Sequence, residues 1–320
     1  MPEFYDGSKL LSMMDINGNK PEIYMCTTNR SGGKTTWFNR YCVKRFINYG
    51  EKFMLLQRFN YELEDCADKF FKDIERLFFQ GHVMTERRRA KGIFYELILD
   101  GNVCGYAVAL NNADQLKKYS QFFSDTVRMV MDEFQSETNH YCGDEVKKFR
   151  SIHTSVARGN GAQSRYLPVY MLSNPVTLLN PYYVAMGVST RLTDNVNFLR
   201  GTGWVLEQGY VDSASKAQQE SAFNSAFSGD NYDVYLTQAV YLNDSSAFIE
   251  TPTGSSRYLG TIRYLGKEYA LREFPNQGVI YCDDRPDATC RVKMALTTDD
   301  HRVNYLMLNQ FRLFVENMRY

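Results

Sequence analysis

The chain has 320 residues, enough for two domains or for one large domain with an appendage. Hydrophobic residues make up 44% of it and charged residues 23%, which excludes an intrinsically disordered protein. Lysine plus arginine and aspartate plus glutamate both number 37, so the net charge argues neither for nor against a nucleic-acid partner.

The seven cysteines are scattered and form no C-x-x-C pair, which is typical of reduced thiols. The amino terminus lacks the basic start and the apolar core of a signal peptide, and no run of about 18 apolar residues occurs. The four histidines lie apart from any cysteine pair, so we predict no zinc site. We therefore expect a soluble protein of a reducing compartment.

The first predicted strand and helix are joined by a glycine loop. Ile23 to Thr27 is a short apolar run, and apolar residues at helical spacing follow from Lys34 until Gly50. Gly32 and Gly33 lie between the two patterns. The order predicts a strand, a glycine loop and a helix.

This loop has the composition of a phosphate-binding site. Small residues let successive backbone N–H groups surround an anion, a lysine reaches the terminal phosphates, and a hydroxyl holds Mg²⁺. The pattern G-x-x-x-x-G-K-[ST] requires glycine at position 28, where this chain has Thr28, so a glycine turn that precedes Lys-Thr by chance is the alternative. The strand-loop-helix context favours nucleotide binding. The residues expected to contact ATP are Asn29, Arg30, Ser31, Gly32, Gly33, Lys34, Thr35 and Thr36.

The next segments predict further strands of the same sheet. Phe53 to Arg58 is a strand, and residues 63–78 have helical spacing. Val83 to Leu110 changes to strand character around the turn Asp100 to Asn102, which suits a hairpin. The basic run Glu86 to Lys91 either grips phosphates or forms the solvated tip of a hairpin.

A later strand ends in two carboxylates. Val127 to Met131 is followed by Asp132 and Glu133. Hydrolysis of a nucleoside triphosphate needs one carboxylate for Mg²⁺ and an adjacent glutamate that polarises the attacking water. A strand that ends in Asp-Glu also occurs by chance, yet together with Lys34 it indicates an ATPase. The strand at 53–58 falls between the two motifs, which indicates the ASCE branch of P-loop NTPases with a RecA-like sheet.

A further apolar strand, Leu167 to Leu172, precedes Asn174. An amide at this strand tip would contact the γ-phosphate or the attacking water, so Asn174 is the candidate sensor. The alternative is a helix N-cap before Pro175.

An arginine finger from a neighbouring subunit commonly completes such a site. The segment before the Leu167 strand holds three candidates, and the sequence does not choose among them. They are Arg150, Arg158 and Arg165.

The last third of the chain predicts a separate domain. Residues 1–189 form the predicted ATPase domain, residues 190–229 are polar and rich in serine, alanine and glutamine, which favours a helical linker, and residues 230–320 form a small α+β domain. The strands predicted in that domain cover 233–242, 247–251, 257–265, 268–272 and 278–282. A final helix is expected after caps at 297–299, with Val303, Met307, Phe311 and Val315 on one face.

With these segments in place, the chain resembles the DNA encapsidation protein family of small protein-primed podophages, the ring ATPases that package their genomes. The resemblance covers nearly the whole chain and keeps the family's order of segments. The segments are Arg45 to Phe53, Asp132 to Phe134, Leu172 to Asn174, Asn180 to Tyr183 and Leu296 to Asp300.

The resemblance implies that Lys34 and Thr35 bind ATP and Mg²⁺. It implies that Asp132 is the Mg²⁺ carboxylate and that Glu133 is the catalytic glutamate.

For the residues acting on a neighbouring subunit, the resemblance selects Arg158 as the finger. Arg165 stays an alternative, because the stretch from Arg158 to Asn174 is longer here than in the family. Lys118 falls where the family has a second trans-acting basic residue, with Lys117 as its alternative after a one-residue slip.

The family also implies partners and a place of action. We expect a homo-oligomeric, pentameric ring that moves double-stranded DNA into a prohead, in the host cytoplasm and transiently at the portal vertex. The portal or a packaging RNA is the expected docking partner, and the loops at Asn60 and at 136–140 are expected to face the DNA.

The C-terminal domain is expected to be an RNase H-like nuclease fold without its metal-binding carboxylates. Two alternatives remain: a nucleotide-binding scaffold without turnover, and a packaging enzyme with an active C-terminal nuclease. The acids that would rebuild a two-metal site are Glu250, Asp283, Asp284, Asp299 and Asp300.

Overall fold

The computed structural model describes residues 4–158, 161–189, 191–192, 196–226, 253–264, 266–297 and 300–307. The chain divides into two compact units, Met1–Ser245 and Ser246–Tyr320.

One nine-stranded sheet forms the centre of the first unit. Its strands are β1 (Ile23–Thr27), β2 (Lys52–Gln57), β3 (Met84–Arg89), β4 (Phe94–Leu99), β5 (Asn102–Ala109), β6 (Thr126–Met131), β7 (Val169–Ser173), β8 (Phe198–Gly201) and β9 (Trp204–Gln208). Their spatial order is β3-β4-β5-β2-β6-β7-β1-β9-β8. The six strands from β5 to β9 in that order pair in parallel, and the pairs at the two edges are antiparallel.

Helices cover both faces of the sheet. They are α1 (Ser8–Ser12), α2 (Lys34–Tyr49), α3 (Cys66–Phe78), α4 (Ala113–Leu116), α5 (Glu145–Val156), α6 (Pro181–Met186), α7 (Asp212–Gln219) and α8 (Ala222–Ser225). Among the described residues, no helix combines the length and the apolar character needed to cross a membrane.

Strand β2 shows how the two faces are filled. Phe53 and Leu55 pack in one hydrophobic cluster with α2 and α3, and Met54 and Leu56 pack in the other with α5 and α6. Successive side chains of a strand point to opposite faces, and a parallel strand covered on both faces is hydrophobic throughout. The continuous apolar runs predicted as core strands are confirmed by this arrangement.

The predicted strand, glycine loop and helix at the amino terminus are confirmed as β1 and α2. Gly33 before the helix and Gly50 after it adopt left-handed conformations, with φ of 90° and 68°. These are conformations that glycine adopts without steric cost. The α/β sheet of the P-loop type is also confirmed, but its inserted strand is not the one expected. In space β7 separates β1 from β6, and β2 lies on the far side of β6.

The helical linker predicted for residues 190–229 is wrong over 198–208. Those residues form the antiparallel pair β8 and β9, and β9 extends the sheet beside β1. Trp204, Val205 and Leu206 are buried there, so three apolar residues in a polar segment are enough for a strand. Helices appear only later in the segment, as α7 and α8.

The basic run at 86–91 reaches the tip of a hairpin, because Ala90 and Lys91 lie in the short connection between the antiparallel strands β3 and β4. Its first four residues belong to the edge strand β3, which pairs with β4 along its whole length. Arg87 forms an ion pair with Glu96 of β4 at 2.6 Å, and Glu86 accepts a hydrogen bond from the Ala67 N–H at 2.9 Å. Arg87 and Glu86 of the run therefore make their contacts within the first unit.

The second unit contains a five-stranded sheet. Its strands are β10 (Arg257–Tyr264), β11 (Lys267–Phe274), β12 (Val279–Asp283), β13 (Lys293–Ala295) and β14 (Leu306–Met307), in the spatial order β12-β11-β10-β13-β14. The first three are antiparallel, and β13 and β14 run parallel to β10. This is the strand order of the predicted RNase H-like fold.

The final helix predicted after residues 297–299 is wrong for the described residues. Leu306–Met307 is a strand, because Leu306 pairs with Met294 of β13, and Val303 is 99% exposed. Sheet pairing here overrides the helical spacing of apolar residues. The strands predicted at 233–242 and 247–251 and the helix positions Phe311 and Val315 lie outside the described residues.

Replacing Gly105 by alanine tests the central sheet. A Cβ atom at position 105 would lie 2.4 Å from the carbonyl oxygen of Phe53 in the neighbouring strand. One of the two backbones must move, so we expect the free energy of unfolding to fall by about 2 kcal/mol. Urea denaturation followed by tryptophan fluorescence measures this, since both tryptophans, Trp37 and Trp204, lie in the first unit.

Gly143→Ala is the matched control, because no atom lies within 4 Å of a Cβ built there. Equal stability of the two variants would contradict the close approach of β2 and β5.

Candidate active site

The loop before α2 turns its backbone towards a common point. Ser31 and Gly33 have left-handed conformations, with φ of 63° and 90°, and alternation of this kind makes backbone N–H groups converge on an anion. Lys34 begins α2 and is buried, which lowers the pKa of its ammonium group. Its Nζ donates to Asn174 Oδ1 at 2.7 Å.

Thr28 stands where the phosphate-loop pattern has glycine. Its backbone lies outside the left-handed region, so the position does not need glycine for its conformation. The side chain is fully buried, and its hydroxyl donates to the Asn29 carbonyl at 3.0 Å. Its methyl group packs on Gly209, where a Cβ would lie 3.0 Å away. Because residue 209 is a glycine and has no side chain, there is room for the side chain of Thr28.

Two side chains of the loop are used to hold the segment around α7. Asn29 is buried, donates to the Val211 carbonyl at 3.0 Å and accepts from the Val211 N–H at 2.9 Å. Ser31 Oγ accepts from Gln218 Nε2 at 3.0 Å. The side chain of Asn29, predicted at the nucleotide, is thus directed to its own chain.

Asp132 and Glu133 follow β6 at the edge where β1 ends. The Asp132 carboxylate accepts hydrogen bonds from the Thr35 hydroxyl and from the Glu133 N–H. Burial raises the pKa of Asp132, while Lys34 and Thr35 act in the opposite direction. The sequence predicted that Asp132 and the phosphate loop serve one site, and the structure brings Asp132 into contact with Thr35 of that loop.

Glu133 has a left-handed backbone with φ of 53°, which is rare for a residue with a side chain. Removal from water in the cleft and the neighbouring carboxylates of Asp132 and Glu137 raise the pKa of its side chain. A raised pKa makes a carboxylate a better proton acceptor near neutral pH.

The strained turn at Glu133 is fixed by a buried ion pair that sequence analysis missed. Arg58 follows β2, contacts the Glu145 carboxylate at 3.0 Å, and donates to the carbonyls of Glu133 and Phe134 at 3.2 and 3.0 Å. Glu145 also accepts from the Tyr182 hydroxyl at 2.9 Å. The one signal in the sequence was an arginine at the end of a predicted core strand.

Asn174 lies at the tip of β7 and is not a helix cap. The next helix, α6, begins at Pro181, and its N-cap is Asn180, whose Oδ1 accepts from the Tyr183 N–H at 2.9 Å. Asn174 instead contacts Lys34, as described above. It therefore has the placement expected of a residue that senses the terminal phosphate.

Two adjoining clefts surround these groups. One, of about 330 Å³, is lined by Thr35, Asp132 and Glu133, and the other, of about 380 Å³, by Arg30, Glu133 and Asn174 among others. Thr36 is half-buried in the first turn of α2. The hydroxyl of Thr35 and the carboxylate of Asp132 are oxygen donors in contact, which is the ligand chemistry that Mg²⁺ prefers.

Arg158 lies elsewhere in the unit. It is exposed and lines a separate groove of about 480 Å³ together with Lys117, Lys147 and Arg150. Lys118 is exposed on the short 3₁₀ segment Lys117–Phe123.

Arg165, the alternative finger, is bound within its own chain. Its Nη2 donates to the Val156 carbonyl at 2.9 Å, and its backbone N–H donates to the Ala157 carbonyl at 3.0 Å. Partial burial also lowers the pKa of its guanidinium group. These contacts fix the segment that follows α5.

Two of the acids proposed for a nuclease site, Asp283 and Asp300, have structural partners. Asp283 forms an ion pair with Arg272 at 2.9 Å, and Asp300 accepts from the Gly266 N–H at 2.7 Å. Glu250 and Asp299 lie outside the described residues. Within the described ranges, no three His, Cys, Asp or Glu side chains are grouped to hold a metal ion.

The solved structures of two phage motors share this fold. The packaging motor assembly of bacteriophage phi29 is 24% identical, with a TM-score of 0.58 over 99% of this chain and 92% of that one. A solved DNA packaging motor named as Phi-28 gp11 is 15% identical, with a TM-score of 0.59 over 100% of this chain and 91% of that one. The N-terminal domain of the phi29 packaging ATPase covers 64% of this chain at a TM-score of 0.52 and 24% identity.

The sequence comparisons extend the likeness over nearly the whole chain. The DNA packaging protein of Bacillus phage phi29 is 25% identical over 311 residues, which are 97% of this chain and 87% of the relative. The family model of the podovirus DNA encapsidation protein (Gp16) matches residues 3–318. With the phosphate loop, its acidic partners and the two sheets described above, this match shows that the chain belongs to the podovirus DNA encapsidation protein (Gp16) family.

Proposed function

We propose that this chain hydrolyses ATP at the phosphate loop and uses the reaction to move double-stranded viral DNA into a preformed prohead. The observation that supports this most is the convergence of Lys34, Asp132, Glu133 and Asn174 at one edge of three neighbouring parallel strands. Family membership supplies the substrate, since its members encapsidate viral DNA.

The phosphate loop would hold the nucleotide through its backbone. The converging N–H groups at residues 31–35 and the Lys34 ammonium group bind the phosphates. When Mg²⁺ is bound with ATP, it neutralises charge on the phosphate oxygens, and Thr35 and Asp132 are the residues that would hold it. Arg30 lines the second cleft together with Asn174, so we assign its guanidinium group to the phosphates as well.

Glu133 is the residue proposed to activate the attacking water. Its raised pKa and its place at the mouth of both clefts suit a group that accepts a proton from water. Asn174 would hold the γ-phosphate or the same water through its amide, since it already contacts Lys34.

Arg158 is proposed to act on the site of a neighbouring subunit. Glu145, the first residue of α5, is linked through Arg58 to Glu133, whereas Arg158 lies two residues beyond the other end of that helix. A helix of 12 residues is about 18 Å long. That distance is beyond the reach of an arginine side chain, so Arg158 does not serve its own Glu133. Arg165 is held by backbone carbonyls and is the weaker candidate.

Lys118 is proposed as a second basic residue at the same interface. It is exposed and follows Lys117, which lines the groove of Arg158 and forms an ion pair with Asp114 at 2.9 Å. The pair leaves Lys117 partly neutralised. This supports Lys118 over its neighbour.

A finger supplied in trans requires a homo-oligomer with head-to-tail contacts, and such contacts form a ring when the rotation between subunits closes. We propose a pentameric ring that acts at the portal vertex of the prohead in the host cytoplasm, with the portal or a packaging RNA as its docking partner. The solved relatives named as motor assemblies support an oligomer.

Mixing two inactive variants tests the shared site. Rings of Glu133→Gln alone or of Arg158→Ala alone should lose at least about 100-fold of the DNA-stimulated ATPase rate, since each lacks one half of every site. In an equimolar mixture about a quarter of the interfaces pair an intact Glu133 with an intact Arg158, so part of the activity should return.

Phosphate release is measured with proheads and DNA present, and Arg150→Ala mixed with Glu133→Gln is the comparison for a basic residue of the same groove. No recovery in the Arg158→Ala mixture would remove the trans assignment. A wild-type ring without turnover under these conditions would favour the nucleotide-binding scaffold.

The pH dependence of turnover tests the role of Glu133. Its carboxylate must be deprotonated to accept a proton, so turnover falls as the pH drops through its raised pKa. Glu137→Gln removes one of the carboxylates that raise this pKa, and the acid limb of kcat should therefore move to lower pH. Asp73→Asn, which removes an exposed carboxylate of α3, serves as the control with an unchanged limb. A limb that stays in place in Glu137→Gln would exclude Glu133 as the titrating group.

A further inference from the structure

Gln135 lies two residues after Glu133 and is 2% exposed. Its Oε1 accepts hydrogen bonds from the backbone N–H groups of Val176 and Thr177, at 3.0 and 2.9 Å. Those two residues belong to the turn that follows β7, just beyond Asn174. One buried side chain therefore joins the turn of Glu133 to the turn of Asn174.

The two ends of this amide are used differently. Both N–H groups bond to the same oxygen, which identifies that atom as the acceptor. Among the described residues the Nε2 of Gln135 is buried without a hydrogen-bond partner. The position thus needs one acceptor oxygen, and the nitrogen contributes no bond.

The turn that Gln135 stabilises is strained and needs fixed surroundings. Glu133 has a φ of 53°, and such a conformation persists only where neighbouring contacts determine it. Arg58 holds the carbonyls of Glu133 and Phe134, and the Phe134 N–H donates to the Leu172 carbonyl at 3.1 Å. Of the contacts named here, those of Gln135 alone extend to residues that follow Asn174 at the tip of β7.

We infer that Gln135 is a positioning residue for hydrolysis, which sets the separation between the Glu133 carboxylate and the Asn174 amide. The inference rests on the proposed ATPase function. A displacement of about 1 Å between groups that act on one water can lower a rate about 100-fold, while binding of the phosphates by the loop is unaffected. The contribution of Gln135 therefore lies in kcat rather than in KM.

Two substitutions at Gln135 separate positioning from simple stability. Gln135→Leu removes the acceptor and should lower kcat for ATP at least about tenfold, with KM changed less than about threefold. Gln135→Glu keeps an acceptor for both N–H groups and should retain kcat within about threefold of wild type.

Asp15→Leu is the matched control. Asp15 is also a buried acceptor of backbone N–H groups, those of Asn17, Asn19 and Gly203, all at 2.8 Å, and it serves the β8–β9 hairpin rather than the phosphate loop. We expect Asp15→Leu to lower the melting temperature about as much as Gln135→Leu while kcat stays near that of wild type.

Equal kcat in Gln135→Leu and Asp15→Leu would overturn the inference, and so would a Gln135→Glu variant as slow as Gln135→Leu. Should Gln135→Leu fail to fold, Gln135→Asn takes its place, because its shorter side chain draws the acceptor oxygen back from the Val176 and Thr177 N–H groups. A kcat lowered at least about tenfold with KM changed less than about threefold supports positioning, and a wild-type kcat overturns it. If the wild-type chain does not hydrolyse ATP in the same assay, the proposed function itself is wrong. If the wild type and Gln135→Leu are both fully active, the proposed function stands and only the role of Gln135 is wrong.

Discussion

The parallel pairing of β1, β7 and β6 is the constraint on which the site depends. Thr27 is in register with Ser173, and Met131 with Met171, so all three strands end at one edge. Neighbouring strands lie about 4.8 Å apart, and the insertion of β7 therefore separates β1 from β6 by about 10 Å. Asn174, at the tip of β7, therefore lies between Lys34 on the β1 side and Glu133 on the β6 side.

The local parts of this site were predictable because each is contiguous with its own strand. The glycine loop follows β1 directly and the two acids follow β6 directly, so a sequence pattern identifies both. The order of strands in space was not predictable in the same way. Pairing is decided between segments far apart in the chain, and the sequence assigned the inserted strand to β2 where the structure has β7. The same nonlocal pairing turned residues 198–208 and 306–307 into strands.

The contacts that support the site were missed for a related reason. Arg58 meets Glu145 at a separation of 87 residues, and Gln135 meets Val176 at 41. Neither Arg58 nor Gln135 belongs to a sequence motif. Both contact the backbone beside motif residues: Arg58 donates to the Glu133 carbonyl, and Gln135 accepts from the N–H groups that follow Asn174. Thr28 shows the converse case. The phosphate-loop sequence pattern marks Thr28 as a departure. The structure shows that its methyl group packs against Gly209, where a larger residue would not fit beside it.

Helix α5 has one further consequence. Its first residue, Glu145, is paired with Arg58, which holds the Glu133 turn of the same subunit, and the proposed finger lies just beyond its last residue. A helix joins these two ends, so in the proposed ring a shift of the turn in one subunit would displace the finger that this subunit offers to the next. Because every subunit of a head-to-tail ring faces the same way, such shifts pass around it in a single direction. In the proposed ring, the direction in which such shifts travel would then be set by this one twelve-residue helix.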